Sequence, residues 1–239
     1  WHTVQVGDYS IEESDWAEYM DSDHDAFVVP GNHDHWPSIP KALSARGHNK
    51  PWGENNVVNA ADEWQRFFWV GGAESTDAVH RVEGVDIWAE EQLTYSQGFQ
   101  CIEQWKNSKA DIVITHDCPD MLLPELHAEK GKPSLTQEIL QQMWEVKRPR
   151  LWVFGHHHID KTMLCDRTTF VALGEGSHID GRSQLFQTDW DYPSLANNFG
   201  WEGYPIVDGS FASETIAEAI EYLDENIGAK AEDPGYFSN

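Results

Sequence analysis

Apolar residues recur along this chain in short runs, each ended by a turn. Thr3-Val4-Gln5-Val6, Ala26-Phe27-Val28-Val29, Phe67-Phe68-Trp69-Val70, Asp111-Ile112-Val113-Ile114 and Leu151-Trp152-Val153-Phe154 are too short for helices and too continuous for solvated strands. They predict strands buried in a sheet. Between them the spacing changes to helical. Ile11, Trp16, Tyr19 and Met20 lie among acids. Thr94 and Gln97 form a capping box ahead of Phe99, Ile102 and Trp105, and Ser134 and Gln137 form a second ahead of Leu135, Ile139, Leu140, Met143 and Trp144. These patterns predict helices with one buried face each.

Thr162 to Cys165 and Thr168 to Leu173, joined at Asp166-Arg167, predict an antiparallel hairpin. Residues 35–62 are rich in Pro, Gly and Asn and read as an irregular excursion with a short helix at 39–45. From 183 onward Trp190, Tyr192, Trp201 and Tyr204 suggest a covering loop, and Ser213 caps a helix with Ile216, Ala219, Ile220 and Leu223 inward. Strands alternating with helices, without repeats or linkers, predict one α/β domain over 1–239, with 183–239 as an extension packed on it.

Composition narrows the partners. Forty-one acidic residues against 16 basic give a net charge of −25, which argues against nucleic acid and anionic membranes. A phosphorylated substrate then needs a concentrated local cation, and bound metal is the obvious one. Much of the acidity is read as a solvated surface suited to solubility. Three scattered cysteines, Cys101, Cys118 and Cys165, make neither a disulfide framework nor a thiolate zinc site. Cys118 is read as a small packed residue. With no apolar run long enough for a membrane span, the chain is expected to be soluble and cytoplasmic.

Polar chemistry gathers at the strand ends. Gly7-Asp8 follows the first strand, Gly31-Asn32-His33-Asp34 the second, Thr115-His116 the fourth and Gly155-His156-His157-His158 the fifth. A lone histidine is more often structural than a ligand. Four strand ends finished this way are not, since a turn needs only Gly, Pro, Asn or Asp. In open α/β sheets the loops leaving that edge line one crevice. Oxygen and imidazole ligands without thiolate suit Mn²⁺, Fe or Zn²⁺, with Mg²⁺ also open.

In this order the four motifs resemble the calcineurin-like metallophosphoesterases, over Val4 to about Ser177. Gly71-Gly72-Ala73, Arg81 with Gly84, Trp88 and the stretch from Asp111 to Pro119 are similar to its bacterial and phage enzymes. The resemblance implies two packed mixed β-sheets flanked by helices, and two divalent metal ions at the strand ends. It implies hydrolysis of a phosphomonoester or phosphodiester by a metal-bridging hydroxide. By the same resemblance Asp8 bridges the ions, Asn32, His116 and His156 complete the second site and His158 serves the first. His33 is then the proton donor to the leaving oxygen, with Asp34 holding its ring, and His157 points elsewhere. Two such ions, about 3.5–4 Å apart, can acidify a water and clamp phosphate oxygens.

Three departures matter. The family's Asp-x-His on a strand before Gly-Asp is absent, and His2 lies at the wrong end of a strand rising about 3.3 Å per residue. Either the motif lies upstream of Trp1, or the first metal site is impaired and the chain is a catalytically weak metal-binding or interaction protein. Second, Asp8 lacks the Val-Asp-Arg-Gly continuation of phosphoprotein phosphatases. Third, Asp34 replaces a glutamate. A phosphorylated small molecule or nucleotide is therefore expected ahead of a phosphoprotein. Arg81 and His80 are candidate phosphate ligands, set against a solvated loop cation, and Trp36 or Trp52 is a candidate for stacking a base.

Overall fold

The computed structural model describes residues 3–21, 26–58, 64–127 and 132–174, with the strands at 177–180, 185–187, 206–207 and 210–211. Strand β1 (Thr3–Val6) leads through helix α1 (Glu13–Asp21) to β2 (Ala26–Val29), which pairs parallel to β1. Strands β9 (Ser177–Asp180) and β10 (Leu185–Gln187) extend this sheet in the order β10-β9-β1-β2, so residues on both sides of position 183 belong to it.

The second sheet has six strands in the order β3-β4-β5-β6-β8-β7. They are β3 (Trp52–Val58), β4 (Trp64–Val70), β5 (Ile112–Thr115), β6 (Leu151–Phe154), β7 (Lys161–Cys165) and β8 (Thr168–Ala172). The central four run parallel, while β3 and β7 pair antiparallel at the edges. The fold is therefore a mixed α/β architecture of mixed sheets. A short pair, β11 (Ile206–Val207) and β12 (Ser210–Phe211), stands apart.

Both faces of the large sheet are covered, which is why its strands read as unbroken apolar runs. Phe67, Trp69, Ile112, Ile114, Leu151, Val153 and Val171 point one way and pack with Val4, Val6, Phe27 and Val29 of the small sheet. Their neighbours Phe68, Val70, Val113, Trp152, Phe154, Phe170 and Ala172 point the other way. They pack against helices α3 (Tyr95–Asn107) and α5 (Leu135–Val146). Both capping boxes are formed: Thr94 Oγ1 accepts from the Gln97 N–H, and Ser134 Oγ from that of Gln137. Helices α2 (Ile39–Ala45) and α4 (Leu123–Leu126) complete the described elements.

Three expectations are corrected. The excursion at 35–62 contains β3, an edge strand with Glu54, Asn55 and Asn56 at its centre, paired with β4 alone. On α3 the buried face is Gly98, Cys101 and Trp105, and Phe99 is 69% exposed. A side chain at Gly98 would strike Ile139 Cδ1 at 2.4 Å, so close approach of α5 sets the rotation of α3. Trp36 and Trp52 are buried, with no free ring face for a base. The proposed aromatic cover and the Ser213 helix lie outside the described residues.

Candidate metal centre

All the parallel strands end at one edge, and the loops leaving it are tied together. The His116 N–H donates to Val70 O, the Gly155 N–H to His116 O and the Gly72 N–H to Pro30 O. Glycine permits this closeness. A Cβ on Gly7 would fall 1.8 Å from His116 Nδ1, and one on Gly31 would fall 2.2 Å from Asp8 Oδ1. Asp8, His156 and His158 hold φ of 51°, 64° and 53°, a left-handed conformation uncommon outside glycine. Such backbone collects at functional sites because surrounding structure must enforce it.

Four of the expected groups converge. His116, 1% exposed, places Nε2 2.9 Å from Asn32 Oδ1 and 3.4 Å from Asp8 Oδ1. His156 Nδ1 turns to the same Asn32 oxygen at 3.0 Å. The orientation of Asn32 is fixed from behind: its Nδ2 donates to Ser75 Oγ at 2.9 Å, and the Ser75 hydroxyl donates to Glu91 Oε2 at 2.6 Å. His116 Nδ1 faces the Val6 carbonyl at 3.2 Å. Assigning the proton of the neutral ring there leaves Nε2 as a lone pair directed at two oxygens that also carry only lone pairs. Such a set is poorly satisfied alone and well satisfied around a cation, so these residues fit a divalent ion. Burial first holds His156 down at about 4, so its imidazole is neutral near pH 7, the form a metal requires.

The rest of the expected set is arranged around this cluster. The His33 N–H donates to Asp8 Oδ1 at 2.9 Å. His33 and His158 line a cavity of about 560 Å³ together with Asn32 and His156. Asp34 is fully buried, and its two oxygens accept the N–H groups of Ser10 and Gly31 at 2.8 and 2.6 Å. Burial first, and then the neighbouring Asp8, raise it to about 8 against those two hydrogen bonds. The His33 ring instead meets Arg81, whose Nη2 donates to Nδ1. Arg81 also pairs with Asp77 at 3.1 Å and Glu91 at 3.8 Å and donates to Ser75. It is an embedded cation, not a solvated one.

Sequence reasoning missed Ser75, Glu91 and the surroundings of His157. Ser75 lies shortly after β4 at the same edge, the one signal available for it. His157 lines the same cavity but has its own set of partners. Its Nε2 lies 3.0 Å from Asp117 Oδ1 and 3.2 Å from Cys118 Sγ, and its Nδ1 lies 2.8 Å from His127 Nε2. Burial raises the Asp117 carboxyl, but hydrogen bonding from His157 and the charges of His156 and His157 leave it below the ordinary value. Among the described residues no helix is long and apolar enough to cross a membrane.

The sequence profile of calcineurin-like phosphoesterases matches residues 3–160, the span that carries Asp8, Asn32, His33, His116, His156 and His158. The chain belongs to that family. Phosphoester hydrolysis with divalent metals is the general chemistry of calcineurin-like phosphoesterases. Solved structures similar to this member include GAP50, the anchor in the inner membrane complex of Plasmodium, at 13% identity and a TM-score of 0.40. That match covers 79% of this chain and 64% of GAP50, so this chain spans under two thirds of that protein's length. TT1561 of Thermus thermophilus matches at 15% identity and a TM-score of 0.40, covering 71% of this chain and 75% of its own. A phosphopantetheinyl hydrolase from Mycobacterium tuberculosis matches at 14% and 0.39, covering 72% and 78%. No curated protein matches the sequence significantly.

Proposed function

We propose that this chain is, within a single domain, a metal-dependent phosphoesterase acting on a phosphorylated small molecule or nucleotide. The observation that carries the reading is the meeting of His116 Nε2 with Asn32 Oδ1 and Asp8 Oδ1 at 2.9 and 3.4 Å, lone pairs opposed around one point. Asp8, Asn32, His116 and His156 would hold one divalent ion, and Asp8 with His158 would contribute to a second. Bound there, such ions supply Lewis acidity to phosphoryl oxygens and lower the pKa of a water. The donor set suits Mn²⁺, with Fe, Zn²⁺ and Mg²⁺ as alternatives.

The chain's own groups supply the remaining steps. Arg81 has only donors, so its contact with His33 Nδ1 puts the ring proton of neutral His33 on Nε2. An Nε2–H oriented in this way would donate a hydrogen bond to the departing oxygen as charge develops on it. Arg81 thus acts as the positioning residue for His33, while Asp34 ties the backbone at Gly31, next to Asn32, to that at Ser10 in the loop that carries Asp8. A cavity of about 560 Å³ falls within the usual small-molecule range of roughly 300–1,000 Å³. The net charge of −25 opposes nucleic acid as substrate.

The test is hydrolysis of p-nitrophenyl phosphate and bis(p-nitrophenyl) phosphate by chelator-stripped protein with Mn²⁺ restored. Hydrolysis that requires Mn²⁺ and is lost in His116→Ala and Asn32→Ala supports the reading. Hydrolysis that persists without metal, or in both variants, overturns it. A second reading, a metal-binding protein of weak catalysis, is favoured by the exposure of His158 in contrast to buried His116. It predicts Mn²⁺ bound with no hydrolysis above buffer.

A further inference from the structure

A second group of potential ligands stands beside the cluster on the same two loops, with His157 lining the cavity that Asn32 and His156 also line. Asp117 and Cys118 follow His116 after β5, and His157 sits between His156 and His158 after β6. Asp117 Oδ1, Cys118 Sγ and His157 Nε2 offer one ligand atom each, all within 4.8 Å of one another. His157 Nε2 is 3.0 Å from the carboxylate and 3.2 Å from the sulfur. Asp117 and Cys118 are 0% exposed, and the His157 side chain is 6% exposed.

Two features set this group apart from ordinary polar packing. Asp117 Oδ1 accepts the Cys118 N–H at 2.8 Å and the Gln137 Nε2 at 3.1 Å as well as facing His157. Asp117 Oδ2, equally buried, has no hydrogen-bond partner among the described residues. A buried carboxylate oxygen left unmatched is costly, and in native proteins it commonly marks an ion or water. The other feature is the support for His157. Its Nδ1 lies 2.8 Å from His127 Nε2, so a proton on Nδ1 can be held by His127 while Nε2 stays free. An imidazole ligand is normally oriented in this way by a partner on its second nitrogen.

We propose that Asp117, Cys118 and His157 form a further metal position, distinct from the Asp8–Asn32–His116–His156 cluster and selective for a Zn²⁺-class ion. Its thiolate makes the chemical difference. Sulfur with imidazole and carboxylate is a ligand set for Zn²⁺ or Co²⁺, whereas the oxygen-rich cluster is open to harder ions. Binding forms one metal–sulfur bond, and the Cys118 proton leaves to solvent. The ion would fasten the loop after β5, which carries His116, to the loop after β6, which carries His156 and His158. It would thus rigidify the cluster without contributing to it. The inference does not depend on the reading of that cluster as catalytic.

The test is titration of the chelator-stripped full chain with Co²⁺, read by near-ultraviolet absorption, where a thiolate bound to cobalt gives an intense charge-transfer band. One equivalent is expected to produce the band in the wild type and to lose it to added Zn²⁺. The band should be absent in Cys118→Ser, weakened in His157→Gln and retained in Asp8→Asn. Should Cys118→Ser fail to fold, the Cys101→Ser/Cys165→Ser double variant decides the matter, because Cys118 is then the sole thiol. Retention of the band there supports the site. Absence of the band from the wild type, its loss in the double variant, or its survival in a folded Cys118→Ser overturns the proposal. None of these outcomes touches the Mn²⁺ hydrolysis test.

Discussion

Asn32 is the residue on which the proposed site turns, because one amide oxygen faces both His116 and His156, and it faces them only while Ser75 holds the amide nitrogen. Ser75→Ala would free that amide and strip a hydrogen-bond donor from buried Glu91. Loss of an outer partner of this kind typically weakens metal affinity 10–100-fold. Calorimetric Mn²⁺ titration of Ser75→Ala is expected to show a drop of that size, and unchanged affinity would contradict the role. His156 gives a pH signature in the metal-free protein. Its folded-state pKa, about 4, lies below the ordinary imidazole value near 6.5. Its contribution to stability is therefore complete above about 6.5 and is lost as the pH falls towards 4. Asp34, raised to about 8, has the opposite dependence, losing its contribution as the pH rises. Comparison with His156→Asn cancels that common term. The melting temperature of wild type relative to His156→Asn is expected to fall between pH 7 and pH 5 in chelator, and an unchanged difference would contradict the assignment.

At the level of elements, glycines at the strand ends set how closely ligand and neighbour approach. Gly7 has φ +82° and Gly47 has φ +84°, but a Cβ on Gly7 enters the His116 ring while one on Gly47 meets nothing within 4 Å. Both alanine variants carry the left-handed penalty of about 1 kcal/mol or more. Only Gly7→Ala adds the clash, so it should unfold at clearly lower denaturant than Gly47→Ala and lose Mn²⁺ binding. Equal midpoints would show that the close approach is unimportant. The same scale explains what the sequence disclosed. The buried strands announced themselves because both faces of β4, β5, β6 and β8 need apolar side chains. Strand β3 did not, because Glu54, Asn55 and Asn56 at a sheet edge are held by backbone pairing with β4 and carry no hydrophobic signature. The rotation of α3 was hidden for a related reason: Gly98 packs under Ile139, and periodicity counts a glycine as nothing. The ligand positions were legible from strand ends alone, whereas the Arg81–His33 contact joins residues 48 apart through loops no pattern describes.

Across the molecule, the net charge of −25 acts on stability and on partner choice together. Like charges at this density destabilise a folded state through self-repulsion. Raising ionic strength from about 0.01 M to about 1 M shortens the screening length from about 30 Å to about 3 Å. The melting temperature should rise with salt over that interval, and a fall would place the dominant electrostatics in attractive pairs. Against such a negative background, positive ions concentrated at one sheet edge are what would let an anionic phosphoester approach. Anomalous diffraction at the manganese edge, from crystals soaked in Mn²⁺, tests this most directly. The account predicts a peak in contact with Asn32 Oδ1, His116 Nε2, His156 Nδ1 and Asp8. No peak there, or Mn²⁺ found only among surface carboxylates, would contradict it.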